Sequence, residues 1–185
     1  MKRASWILLL GIVLCGCSGE DLLERALEFR SRMLAASGCS FCAEVTADYG
    51  DKLYTFGMDC SADADGKLSF RVSEPETIRG ISGRVEDGGG KLTFDDTVLQ
   101  FNLLADRQLS PVSAPWVLVK SLRSGYIASA GEEDGLLRMT LHDSYEDGAL
   151  QVDVWMNETD RPVRCEILYK GKRILTVLVK DFELL

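Results

Sequence analysis

The hydrophobic period of this chain switches from helical to two at Ser37-Gly38, and that change sharply limits what its 185 residues can fold into. Upstream, Leu22, Leu23, Ala26, Leu27, Phe29, Met33 and Leu34 recur at helical spacing, with Glu20, Asp21, Glu24, Arg25, Arg30 and Arg32 between them. The acidic residues gather in the first turn and the arginines later, as the helix dipole favours. Downstream the period is two. Ala43, Val45, Ala47 and Tyr49 alternate with polar residues, Gly50-Asp51 turns the chain, and Tyr54, Phe56, Met58 and Cys60 alternate on the return. Asp65-Gly66, Pro75 and Asp87-Gly88-Gly89-Gly90 punctuate further strands through Phe101. Strands joined by such short turns are antiparallel, because parallel neighbours need long crossovers.

One segment breaks the run of strands. Ser113 as N-cap and Pro115 in the first turn predict a short helix over Trp116–Leu122, closed by Gly125. Its apolar residues cover most of its circumference, so it is expected between surfaces. Strands resume from Tyr126 to Phe182, separated by Gly131, Asn157–Pro162 and Lys170-Gly171-Lys172. A helix, a strand series, one apolar helix and a second strand series give an α+β class.

The first residues carry a different message. Lys2 and Arg3 precede an apolar run from Ala4 to Leu14, the pattern of an export signal and too short for a spanning helix of ~20 residues. Leu14-Cys15-Gly16-Cys17 resembles the lipobox of bacterial lipoproteins. The resemblance implies cleavage before Cys17 and a diacylglyceryl group on its sulfur. Residues 1–16 then form the signal, and 17–38 hold the lipidated cysteine, a short tether and the helix. Residues 39–185 form one domain together with that helix. The expected location is the extracytoplasmic face of a cell membrane. With 29 acidic against 21 basic residues and a net charge of −8, there is no basic footprint for nucleic acid or anionic head groups. Contact with the membrane is therefore expected through the anchor alone.

Longer stretches bear a family likeness. Ser73-Glu74-Pro75-Glu76-Thr77-Ile78-Arg79-Gly80-Ile81, Gly90-Lys91-Leu92-Thr93-Phe94-Asp95-Asp96, Pro162-Val163-Arg164-Cys165-Glu166-Ile167 and Asp181-Phe182 resemble envelope lipoproteins of Gram-positive anaerobes. That group is similar to the lipoprotein-carrier fold of LolA, LolB and the RseB N-domain. The resemblance implies an incompletely closed antiparallel β-barrel wrapped over helices on its concave side. It brings no catalytic motif with it.

Four cysteines follow the lipobox: Cys39, Cys42, Cys60 and Cys165. An even number in an exported chain predicts disulfides. Strand phase puts Cys39 with Ala43 and Val45, and Cys60 with Phe56 and Met58. A two-residue hairpin at Tyr49-Gly50 sets Cys39 opposite Cys60 and leaves Cys42 for Cys165. A turn over Gly50–Lys52 instead sets Cys42 opposite Cys60. Cys39-Ser40-Phe41-Cys42 also has the CxxC spacing of a thiol–disulfide oxidoreductase, but it precedes a strand rather than a helix N-terminus, which such a thiolate needs. Zinc would need further ligands that the spacing does not supply.

No enzyme or cofactor is expected from the remaining motifs. His142-Asp143-Ser144 holds the one histidine, but neighbours on a strand point to opposite faces. Asp63-Ala64-Asp65-Gly66 lacks the glutamate that closes a calcium loop and reads as a hairpin turn. Candidate lining of the concavity is Tyr54, Phe56, Met58, Phe70, Phe94, Phe101, Trp116, Val119 and Leu122. Two functions compete: a cavity for a lipid or acyl chain, and a filled, stapled scaffold that presents a surface to an envelope protein.

Overall fold

The computed structural model describes residues 18–86, 89–93, 105, 109–144 and 149–185. Cys17, Phe94 and Phe101 lie outside these. Helix α1 (Ser18–Ala35) is followed by β1 (Gly38–Asp48), β2 (Leu53–Asp63), β3 (Leu68–Glu74), β4 (Ser82–Glu86) and β5 (Gly89–Thr93). Helix α2 (Ala114–Ser124) then leads to β6 (Tyr126–Glu133), β7 (Leu136–His142), β8 (Leu150–Met156), β9 (Pro162–Tyr169) and β10 (Lys172–Leu184). These boundaries follow the sequence closely, except that α1 begins at Ser18 and takes up the residues expected to form the short tether, because Glu20 and Asp21 suit the first turn of a helix. Helix α2 does start beside Ser113, but the Ser113 hydroxyl donates to the Ser110 carbonyl (2.6 Å) rather than capping the helix.

The ten strands among the described residues belong to one antiparallel sheet in the order β5-β4-β3-β2-β1-β10-β9-β8-β7-β6. Two meanders, β1–β5 and β6–β10, are joined in the middle by pairing of the first strand with the last. That puts β5 and β6 at opposite edges of an unclosed barrel, and the chain that connects them carries α2 across one face. Helix α2 touches β2 on one side of the central pair and β7 and β8 on the other. Its Val117, Leu118, Val119 and Leu122 are buried against them.

Helix α1 adds a second layer. Ala26, Phe29 and Met33, spaced three and four apart, are buried in the same core as Val45, Met58, Leu141, Val154 and Val177. Arginines fasten the helices to each other and to the sheet. Arg30 donates to the Leu122 carbonyl (2.8 Å), Arg123 to the Met33 carbonyl (3.1 Å), and Arg25 and Arg32 both reach Asp160 in the β8–β9 turn.

The β1–β2 register corrects both sequence-based cysteine pairings. The hairpin loop spans four residues, 49–52, closed by the Tyr49 N–H donating to the Lys52 carbonyl (3.0 Å). The Gly50 N–H donates to the Asp48 carboxylate (2.7 Å), and Gly50 takes a φ of 90°, which favours glycine. With this loop Cys60 faces Phe41, Cys39 faces Ala62, and Cys42 faces Asp59. Neither Cys39 nor Cys42 stands opposite Cys60. Cys42 cannot meet Cys165 either: Cys42 is on the outer face, Cys165 is wholly buried on the inner one, and β10 runs between their strands. All four are free thiols in the structure.

Candidate functional site

The expected inner lining divides. Phe56, Met58, Phe70, Val119 and Leu122 do face the concave side, but each is at most 5% exposed. Side chains bordering a water-sized void would show more surface, so these are close-packed core. Helices α1 and α2 fill the space the strands enclose around them. Tyr54 is not in the concavity at all. It sits beside the β1–β2 loop, about half exposed, with its ring edge-on to Tyr49 (5.6 Å). Trp116 is on the outward side of α2, half-buried, with the Lys120 ammonium 4.9 Å from its ring centroid.

A large concavity among the described residues lies elsewhere, where α1 passes the start of β6. This groove, of about 790 Å³, is lined on one side by Leu23, Leu27 and Arg30 of α1. Ser124, Gly125, Tyr126 and Ile127, leaving α2 and entering β6, form the other side, and His142, Asp143 and Ser144 close one end. Its volume falls within the ~300–1,000 Å³ typical of small-ligand sites. Leu23 is 41% exposed, Leu27 50% and Tyr126 50%.

Local structure explains each wall. Helix α1 has more apolar residues than one stripe can bury. Leu22, Ala26, Phe29 and Met33 turn to the core, and Leu23 and Leu27, one residue further round, are left at its margin. Gly125 is held by close approach: a Cβ there would lie 2.7 Å from the Ser121 carbonyl oxygen, which already accepts the Gly125 N–H (2.9 Å). Tyr126 and His142 face each other across the β6–β7 pair. His142 ends its strand, so Asp143 and Ser144 are no longer bound by strand alternation, and all three residues border one groove. Asp143 accepts the Leu150 N–H (2.8 Å).

Arg30 is the cation of the groove. Its Nε donates to the Leu122 carbonyl (2.8 Å) and its Nη2 to the Ser121 carbonyl (3.3 Å), both in the last turn of α2. The last turn of a helix leaves carbonyls open to outside donors, and the Ser121 oxygen here accepts the Gly125 N–H as well. Burial pulls Arg30 below the ordinary arginine value.

Other motifs resolve as structure. The Asp63 carboxylate accepts the N–H groups of Asp65 and Lys67 and pairs with Arg84, which makes Asp63–Lys67 a stapled hairpin turn. Among the described residues no group of three or more His, Cys, Asp and Glu is placed to hold a metal. Among them, too, no helix is long and apolar enough to cross a membrane. Burial raises the Cys39 thiol to about 11 and pushes Cys60 and Cys165 higher still. Cys42 is raised by burial and then by its hydrogen bond to Asp59 (3.5 Å). A CxxC nucleophile needs the opposite shift.

Sequence reasoning placed Leu23 and Leu27 in the apolar stripe of α1 and missed the groove. The available signal was the excess width of the α1 apolar stripe.

No family model matches the chain, and no curated protein matches it. Among solved structures it is similar to a LolA superfamily protein from Nitrosomonas europaea, at 9% identity over 91% of this chain and 94% of that one, TM-score 0.44. It is also similar to a putative outer membrane lipoprotein-sorting protein domain from Vibrio parahaemolyticus, at 10% identity over 89% and 92%, TM-score 0.40. A third is the lipoprotein LppX from Mycobacterium tuberculosis, at 15% identity over 88% and 95%, TM-score 0.43. The chain is thus distantly similar to LolA-type structures, and its site rests on its own residues.

Proposed function

We propose that this chain is a non-enzymatic, membrane-tethered protein of the cell envelope that holds an apolar ligand, an acyl chain in the first instance, in the groove between α1 and β6. The observation that carries the reading is the row of Leu23 and Leu27 opposite Tyr126, large apolar side chains left 41–50% exposed around one concavity. Exposed apolar surface gathered in a groove marks a binding site more often than scattered residues do.

The anchor supports an acyl ligand. With residues 1–16 removed as an export signal and Cys17 carrying a diacylglyceryl group, α1 begins at the next residue. At 1.5 Å per helical residue, Leu23 lies roughly 9 Å and Leu27 roughly 15 Å along the axis from Cys17. The groove then opens close to the bilayer that holds the ligand. Two acyl chains on one cysteine are a stable anchor, where a single chain is marginal.

The packed interior favours a second reading, in which the same groove receives apolar side chains of an envelope protein. One experiment separates the two. A photoreactive amino acid replaces Leu27 in the full chain, which is cross-linked in living cells and analysed by mass. A lipid-sized adduct supports the acyl reading. A protein-sized adduct moves the function to a protein partner. Neither adduct, in a chain that is folded and membrane-bound, refutes both.

A further inference from the structure

Among the described residues, the groove pairs its apolar walls with one arginine that has no carboxylate partner. Arg30 lies three residues beyond Leu27 on the same flank of α1 and lines the same concavity. It is half-buried, and among the described residues it forms no ion pair: its two hydrogen bonds end on the carbonyls of Ser121 and Leu122. The other arginines that fasten α1, Arg25 and Arg32, both have the Asp160 carboxylate. The C-terminal end of α2 offers Arg30 only the partial negative charge of a helix dipole, about half an elementary charge. The bonds to α2 use Nε and Nη2 and hold the guanidinium in one orientation. Its Nη1 donors are not used by either bond.

From this juxtaposition we propose that the groove takes an anionic amphiphile, whose carboxylate or phosphate head group pairs with Arg30 while its chain lies along Leu23, Leu27 and Ile127. The inference rests on the groove being the ligand site and adds the charge of the ligand. An arginine fork suits both head groups, because carboxylate and phosphate present paired oxygens to parallel N–H donors. Among the described residues, the one carboxylate lining the groove belongs to Asp143, in the end wall, where it accepts the Leu150 N–H (2.8 Å). In a chain of net charge −8, a lone guanidinium in an apolar groove is the local exception that selects an anion.

The test uses the full chain in neutral phosphatidylcholine vesicles that contain a diazirine-bearing palmitic acid, the corresponding alcohol or the corresponding phosphate monoester. Cross-linking at about pH 9 keeps the acid and the guanidinium charged. Adducts are mapped on the peptides that carry Leu23–Arg30 and Tyr126–Ile127. The acid or the phosphate is expected to label the groove roughly tenfold more than the alcohol, the factor that one charge-assisted hydrogen bond supplies. The stronger of the two identifies a fatty-acid or a phospholipid-like source. Arg30→Gln is expected to reduce the anion to the level of the alcohol, and Arg30→Lys to keep part of the excess. Equal labelling of the wild-type groove by the acid, the phosphate and the alcohol overturns the role of Arg30 and leaves the groove a neutral acyl site. That comparison needs no variant, so a poorly folded Arg30→Gln does not blunt it. Labelling of the groove by none of the probes, in a chain that still melts cooperatively, overturns the proposed function as well.

Discussion

Phe182 stacks on Phe41 with ring centroids 5.8 Å apart, on a face of β10 that strict alternation would assign to Asp181. Leu175, Val177 and Val179 point inward, so Asp181 should be next. Instead Asp181 adopts a φ of 54° and the register with β1 slips between Ser40 and Cys42. The bulge turns the phase by one residue. Phe182 then meets both Phe41 and Phe29, the latter at 6.2 Å, and joins α1 to the sheet.

That relationship predicts opposite effects at adjacent positions. Asp181→Val forces a β-branched residue into the left-handed region and should cost about 1–2 kcal/mol. Asp181→Gly should be tolerated. Phe182→Ala should cost about 3–5 kcal/mol, because it empties a buried aromatic site. Denaturant unfolding of the three variants checks the order. Tolerance of Asp181→Val would mean the bulge is not needed to place Phe182.

Acid should weaken the outer face of β9. Burial alone would raise the Glu166 carboxyl, but hydrogen bonds from Arg164 and Arg173 outweigh it and hold the group below its ordinary range. A depressed folded value means that this stabilisation is present above the unfolded value of ~4.3 and is lost as pH falls through the folded one. Glu166→Gln should remove about 1–3 kcal/mol at neutral pH and flatten the stability profile below pH ~4.5. Thermal melts of both chains from neutral to acid pH measure this. Parallel profiles would show that Glu166 does not carry the acid response.

The thiols should react in a set order. Cys39, Cys60 and Cys165 are at most 5% exposed, and only Cys42 of the four has partial access. Alkylation of the native chain at pH ~8, mapped by peptide mass, should modify Cys42 and spare the others until denaturant is added. Cys42 itself should react more slowly than an unhindered thiol, because burial and the Asp59 carboxylate both oppose its ionisation. Pairs that stay unreactive after denaturation would reveal disulfides.

Cys17→Ala should release the chain from membranes. Metabolic labelling with an alkyne-bearing fatty acid, followed by fractionation, should show label and membrane association lost together. Label retained in Cys17→Ala would place the modification at another residue.

Much of the local structure was legible in the sequence. The alternation of Val45 and Ala47 with Glu44 and Thr46, and of Phe56 and Met58 with their polar neighbours, marked the strands and their inner phase correctly. Register was not legible. The four-residue loop 49–52 depends on where the Tyr49 N–H and the Asp48 carboxylate find partners, and one residue of difference in the loop moves every cross-strand pair. Phase assigns Tyr54 inward, yet its ring lies about half exposed beside the loop, edge-on to Tyr49.

Sequence alone determined the apolar stripe of α1, the place of α2 and the presence of the described strands, because each depends on residues close together along the chain. Only the tertiary structure decided that β1 pairs with β10, that the helices fill the concavity, and that Arg30 borders a groove. Those outcomes depend on contacts between segments far apart in sequence, such as Arg30 with Leu122. The apolar stripe of α1 was wide enough to bury either Leu22 or Leu23. The space left between α2 and β6 settled which one stayed outside.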